Sequence, residues 1–266
     1  MKKVSFIGAG NMATAIIKGI CGSKDASAYE LHAYDVMREK AEELSASGVR
    51  AGTLEDVVSD ADFLFLSIKP QNFEEALKQI KPLFSLHTVV VSIAAGITAE
   101  YIQSFLGGEC KVVLVMPNTP LLLGYGASAL AQVAPTSDAE FSAVCDIFRA
   151  SGEIAVIPEN QMKEIIAVNG SSPAFIYLYA KGFVEYAVSV GIDANAALRL
   201  FCQTLIGSAE MMLHSGKSID DLIAMVSSKG GTTIAGLDQL REHGLQDAVQ
   251  AACEACTKRA YELSKS

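Results

Sequence analysis

The chain has 266 residues, half of them apolar and 19% charged, a balance that excludes a disordered protein and gives enough length for one large core or two modest ones. A formal net charge of −9 and a pI near 5.0 argue against nucleic acid or an anionic membrane as a general partner. The six cysteines (21, 110, 145, 202, 253 and 256) form no disulfide framework for a chain this long, which points to a reducing cytoplasm.

Cys253 and Cys256 make a CxxC, but no second Cys or His pair lies near it, so no metal site is expected. Met1-Lys2-Lys3 and the apolar run after it could mimic a secretory leader, but Gly8, Gly10, Asn11 and Lys18 break the run. The longest uncharged stretch, 165–180, contains Asn169-Gly170-Ser171-Ser172-Pro173 and does not read as a membrane span.

In chain order, Val4-Ser5-Phe6-Ile7 reads as a buried strand, and Gly8-Ala9-Gly10-Asn11-Met12-Ala13 follows it directly. Met12 to Ile20 then has helical apolar spacing. Strand, GxGxxA and helix in that order form the dinucleotide fingerprint. Gly8 makes the turn, Gly10 lets a pyrophosphate meet the backbone, and Ala13 keeps helix and strand close.

A second strand, Leu31 to Tyr34, ends at Asp35, where an acid suits the ribose hydroxyls of NAD. Arg38 and Lys40 just beyond are placed to meet the 2′-phosphate of NADP, so the residues leave the coenzyme open between the two. Met37–Ser47 reads as a helix, and Gly48–Ala51 as a short strand.

Three further apolar strands, Phe63–Leu66, Val89–Ser92 and Val112–Val115, run into the loops Ser67-Ile68-Lys69-Pro70-Gln71, Ile93-Ala94-Ala95-Gly96 and Met116-Pro117-Asn118-Thr119-Pro120. Continuous apolar strands with helices between them predict a parallel sheet covered on both faces, with ligands at the carboxyl ends of the strands. Lys69 is the most tempting catalytic side chain there, though a Lys entering a helix with its head in solvent explains it equally. Phe141–Ala150 and Ile154–Ile157 complete a Rossmann-type domain over 1–158.

After Pro158 the pattern is helical: 161–168, 173–190, 194–213, 219–226, 233–242 and 246–263. The stretch 194–213 is apolar around most of its circumference, which asks for cover on more than one side. A helical domain over 159–266 is too small to supply all of it, so a partner subunit is expected.

Between two of these helices lies Lys229-Gly230-Gly231-Thr232-Thr233. The N–H groups of Thr232, Thr233 and Ile234 should open a helix with two hydroxyls beside them, an arrangement suited to a small carboxylate. A plain helix C-cap followed by Thr232 as the next N-cap would explain the same residues. No base stands out in this half. His214 and His243 read as helix-end residues, and Lys163 and Lys181 lack the surrounding Asn and Gly pattern of the β-hydroxyacid dehydrogenases. A hydroxyl site without a base suits a substrate carrying its own basic nitrogen, such as a cyclic imine.

Val226 to Leu240, VSSKGGTTIAGLDQL, resembles the signature of the Δ1-pyrroline-5-carboxylate reductases. FIGAGNM, SIKPQ, SIAAGI, MPNTP and GSSPAF match that family in the same order, over essentially the whole chain. The resemblance implies a doubly wound Rossmann-type sheet followed by an all-α dimerisation domain. It also implies NAD(P)H-dependent reduction of pyrroline-5-carboxylate to proline.

Carried over, it implies that Ile7, Gly8, Ala9, Gly10, Asn11 and Met12 hold the pyrophosphate. Ser67, Ile68, Lys69, Pro70, Ile93, Ala94 and Ala95 then flank the nicotinamide, with Asn118 close by. Gly230, Gly231, Thr232 and Thr233 would hold the substrate, with the Thr233 hydroxyl on the ring nitrogen. Many members of the family carry Asn, Ser or Arg where this chain has Asp35, a departure that bears on coenzyme choice. The alternatives are a β-hydroxyacid dehydrogenase and a regulatory protein that binds NADP without turnover.

Overall fold

The structure is a computed structural model that describes residues 1–264. Its strands are β1 (Lys2–Ile7), β2 (Tyr29–Tyr34), β3 (Arg50–Ala51), β4 (Phe63–Leu66), β5 (Val89–Ser92), β6 (Lys111–Met116), β7 (Gly126–Val133) and β8 (Gly152–Val156). They form one sheet in the order β3-β2-β1-β4-β5-β6-β7-β8. All neighbouring pairs are parallel except β6 with β7. The order turns back between β1 and β4, the switch point at which a doubly wound sheet opens a crevice for a ligand.

The apolar strands feed both faces of the sheet. In β4, Phe63 and Phe65 point to one face and Leu64 and Leu66 to the other. β6 does the same with Val113 and Val115 against Val112, Leu114 and Met116. The first face is covered by α1 (Asn11–Gly22), which buries Ala13, Ile16, Ile17 and Ile20 at helical spacing. On the second face lie α3 (Leu54–Val58), α4 (Phe73–Ile80) and α5 (Ala99–Leu106). The short α2 (Arg38–Glu43) follows β2. α6 (Asp138–Arg149) returns to the first face with Phe141, Val144, Cys145 and Phe148. Ser137 and Glu140 close a reciprocal capping box at its start, as Thr53 and Asp56 do for α3. In the middle of the first face, Phe6 stacks on Phe65 with ring centroids 4.7 Å apart.

The helical remainder consists of α7 (Ser172–Ser189), α8 (Ala194–His214), α9 (Ile219–Met225), α10 (Thr232–Glu242) and α11 (Leu245–Leu263). Backbone packing divides the chain into two compact units. The first is Met1–Pro173 together with the chain from Ala255, and the second is Ala174–Glu254. These units divide at places other than the change of sequence pattern at residue 158.

Two sequence expectations need correction. β7 was not foreseen, and it runs antiparallel, so the sheet is mixed rather than wholly parallel. Its residues, GASALAQV, are mostly small, with weak strand propensity, and it is formed by pairing along β6. The expected helix over 161–168 is also absent. The chain instead makes a 3₁₀ turn at Glu159–Gln161 and a π turn at Ile166–Gly170, closed by Ser171 N–H donating to the Ile166 carbonyl at 2.8 Å. Local apolar spacing favoured a regular helix, but the Asn169 side chain is committed to strand carbonyls, as described below.

Candidate active site

The glycine-rich turn is fixed by its neighbours. Gly8 donates its N–H to the Tyr34 carbonyl at 2.8 Å and adopts φ +95°. A Cβ there would lie 2.5 Å from the Ser67 carbonyl oxygen and 2.9 Å from Ile68 Cγ2, so only glycine fits. At Gly10 a Cβ would meet nothing within 4 Å, so the backbone borders open space. Gly10 is the N-cap of α1 and no side chain caps it, leaving the first-turn N–H groups of Asn11 and Met12 for a ligand.

A cavity of about 500 Å³ opens at this point, its wall including Gly8, Gly10, Asp35, Ser67, Ile68 and Lys69. Ser67 Oγ is buried and has no partner, an orphan that a polar ligand would satisfy. An open turn, free helix N–H groups and an orphaned hydroxyl fit a dinucleotide.

The remaining expected residues are distributed around the carboxyl ends of the strands. Ile7 is buried in the sheet and offers only its backbone to a ligand. The Ala9 N–H donates to Asp35 Oδ2 at 2.8 Å. Arg38 lines an adjoining cleft together with Asp35, and its Nε donates to Glu42 at 2.7 Å. Lys69 is exposed and precedes the turn that Pro70 opens, so it is a helix-entry lysine on the rim of the cavity.

Ala94 lines a second cavity of about 530 Å³ with Ser92, Met116 and Lys163, while Ile93 and Ala95 pack behind it against the two cores. Lys163 donates to Ser264 at 3.0 Å and lies 4.6 Å over the Tyr261 ring. Asn118 is buried, and its Oδ1 accepts from the Ala127 N–H at 2.9 Å, tying the loop after β6 to β7.

Asn169 is a further residue that its sequence context does not place at the site. Its Nδ2 donates to the Met116 carbonyl at 2.7 Å and the Ala127 carbonyl at 3.0 Å, while its Oδ1 is buried without a partner. It therefore ties the end of β6 to β7, the same two strands that Asn118 joins through the Ala127 N–H. The signal in the sequence is the Asn-Gly pair that opens the break between the helices expected over 161–168 and 173–190.

In the second unit, Gly230 has φ +72°, and Gly231 N–H donates to the Ser228 carbonyl at 2.9 Å. A Cβ on Gly231 would lie 2.6 Å from Ser228 Oγ. Gly231, not Thr232, is the N-cap of α10, and no side chain caps that helix. The first bond within the helix is Ala235 N–H to the Gly231 carbonyl at 3.4 Å, so the N–H groups of Thr232, Thr233 and Ile234 lie ahead of it. Among the described residues the two threonine hydroxyls have no hydrogen-bond partner, and Thr233 is exposed. His214 ends α8 beside Glu210, and His243 follows α10, so both occupy helix C-terminal turns.

The sheet order, the glycine turn and the cavity at the switch point together define a dinucleotide-dependent oxidoreductase with a helical second half. Residues 3–96 match the family model described as NADP oxidoreductase, coenzyme F420-dependent, and residues 159–263 match that of pyrroline-5-carboxylate reductase dimerisation. The chain is 34% identical to the pyrroline-5-carboxylate reductase of Escherichia coli K12, covering 100% of this chain and 99% of that one. The solved 1-pyrroline-5-carboxylate reductase of Streptococcus pyogenes superposes with a TM-score of 0.89 at 32% identity, over 98% of each chain. The Plasmodium falciparum pyrroline carboxylate reductase, solved with NADP bound, gives 0.89 at 27% identity, over 99% of this chain and 98% of that one. The chain belongs to the pyrroline-5-carboxylate reductase family.

Proposed function

We propose that this enzyme reduces Δ1-pyrroline-5-carboxylate to L-proline with NADH or NADPH. The observation that carries the reading is the full-length family match, which includes both the dinucleotide half and the half holding the Gly230–Thr233 turn. When bound, the reduced nicotinamide supplies the hydride that forms the new C–H bond at the C=N carbon.

The residues of the chain do the rest by position and charge. The N–H groups of Gly10, Asn11 and Met12, with Ile7, Gly8 and Ala9 behind them, hold the pyrophosphate. Asp35 and Arg38 flank the adenosine ribose, and Ser67, Ile68, Lys69, Pro70, Ile93, Ala94, Ala95 and Asn118 frame the nicotinamide. Gly230 and Gly231 bring the N–H groups of Thr232 and Thr233 to the substrate carboxylate. The Thr233 hydroxyl orients the ring nitrogen, which enters already protonated and becomes the amine as the C=N electron pair moves onto it. No strong acid or base is required of the protein.

We further propose a homodimer as the minimal assembly, with larger oligomers built from dimers. We assign residues 1–158 to dinucleotide binding and 159–266 to substrate binding and dimerisation, and place the reaction in the cytoplasm. Support for the dimer comes from the apolar exposure of α8 and from the dimerisation-family match. Among the described residues, no helix is long and apolar enough to cross a membrane.

The test is oxidation of NADH or NADPH followed with pyrroline-5-carboxylate and, separately, with β-hydroxyacid-pathway semialdehydes. Turnover with the imine alone is the expected result. Turnover with the semialdehydes alone would replace this reading by a β-hydroxyacid dehydrogenase, and binding without any turnover would indicate a regulatory protein.

A further inference from the structure

Both carboxylate oxygens of Asp35 are in use. Oδ2 accepts from the N–H of Ala9 at 2.8 Å, and Oδ1 accepts from the N–H of Met37 at 2.9 Å. The first of these bonds reaches from the end of β2 to the turn that follows β1. Ala9 is buried, so a swing of Asp35 into solvent would strand its N–H. Hydrogen bonds to an ionised acceptor are also stronger than neutral ones. The carboxylate is therefore fixed on the wall it shares with Gly8 and Gly10, and each oxygen keeps lone pairs for a further donor.

A ribose 2′-hydroxyl is such a donor. A 2′-phosphate is an anion with acceptors only, and it would sit beside a fixed negative charge. The nearby cations do not offset this. Arg38 lines the adjoining cleft, but its side chain is largely exposed and shared with Glu42, so solvent screens what it could offer a phosphate. Lys40 lines the same cavity, but Glu75 does as well.

We infer that Asp35 makes this enzyme select NADH over NADPH, and that the same carboxylate latches the glycine turn in its coenzyme-binding shape. This rests on the dinucleotide site proposed above.

The experiment has two readouts. One is kcat/KM for NADH and NADPH with pyrroline-5-carboxylate, and the other is calorimetric titration of each coenzyme without substrate. Wild type should favour NADH by at least about tenfold in both, the effect of one fixed charge beside one phosphate. Asp35→Asn removes the charge and keeps an acceptor for Ala9 N–H, so NADPH should gain at least about tenfold while NADH falls less. Asp35→Ala also removes the latch, so it should weaken NADH binding further than Asp35→Asn does.

Wild type favouring NADPH would overturn the inference, as would an Asn variant with an unchanged ratio. Should the Asn variant fail to fold, Asp35→Ser and the wild-type titration decide the matter. If both coenzymes bind but pyrroline-5-carboxylate is not turned over, the functional proposal fails and the titration still reads the selectivity.

Discussion

The two compact units differ in how far each completes its own core. The first buries whole aromatic side chains: Phe65 is 0% exposed, stacked on Phe6 and tilted against Phe148. In the second, Ala174–Glu254, only Ala187 is buried. Leu200 on α8 is 71% exposed, and Leu178, Ile206 and Leu213 are likewise open to solvent. Tyr179, Phe183 and Phe201 cluster there, with Phe183 and Phe201 stacked at 4.4 Å. A set of apolar side chains this large is not left in water by a stable soluble protein. The first unit carries its fold within itself, whereas the second needs a partner surface to close its core.

The largest test of that contrast is a charge on the open helix. A large apolar side chain removed from water contributes about 1.5–3 kcal/mol, and a two-fold interface counts each substitution twice. Leu200→Asp, with Ile206→Asp as a second variant, should therefore raise the dimer dissociation constant on the order of 1,000-fold or more and abolish activity. Coenzyme titration should stay near wild type. Leu86→Asp, on the exposed surface of the first unit, should leave assembly intact. Sedimentation decides the point: dimeric and active Leu200 and Ile206 variants would mean that α8 is not the contact.

A cavity in the closed core gives the complementary result. Phe65→Ala should cost about 3–5 kcal/mol of folding stability, read by denaturant titration, without weakening association of the chains that remain folded. If Phe65→Ala instead dissociates the dimer at native stability, the first unit is not self-contained.

The next test asks what each unit contributes to function. Gly8→Ala places a side chain at φ +95° against the Ser67 carbonyl. Strain of that kind costs about 1–3 kcal/mol, so coenzyme affinity should fall roughly tenfold to a hundredfold. Calorimetry giving wild-type affinity would remove the turn from the site.

An effect of the same size, but on turnover rather than coenzyme affinity, is expected in the second unit. Thr233→Val keeps the volume and removes the hydroxyl. The loss should be about 1–3 kcal/mol in transition-state stabilisation, or roughly 10- to 100-fold in kcat/KM, with coenzyme binding unchanged. Unchanged kinetics in the folded Val variant would falsify its role with the imine.

Much of the first unit was legible in the sequence because its signals are local. The glycine turn lies between a strand and a helix that show their own periods, and the apolar strands β4 and β5 each end in a loop that lines a cavity. Residues 126–133 carried no such signal. β7 is a strand because β6 offers it an edge, and small side chains do not announce that pairing. The Gly230–Thr233 stretch reads as a helix start, but local spacing alone allows Thr232 to be the cap, and only the backbone places the cap at Gly231.

The strand-turn-helix unit, the order of strand-end loops and the excess of apolar side chains on α8 are all set by neighbours a few residues apart and are therefore visible in the sequence. The mixed sheet, the π turn at Ile166–Gly170 and the bond from Asp35 to Ala9 exist only once the chain has folded. Each of these depends on hydrogen-bonding groups far apart in the chain: β7 on the edge of β6, Asn169 on the Met116 and Ala127 carbonyls, and Asp35 on a buried N–H 26 residues earlier. Buried polar groups must find partners wherever the fold brings them, and no local period encodes where that will be.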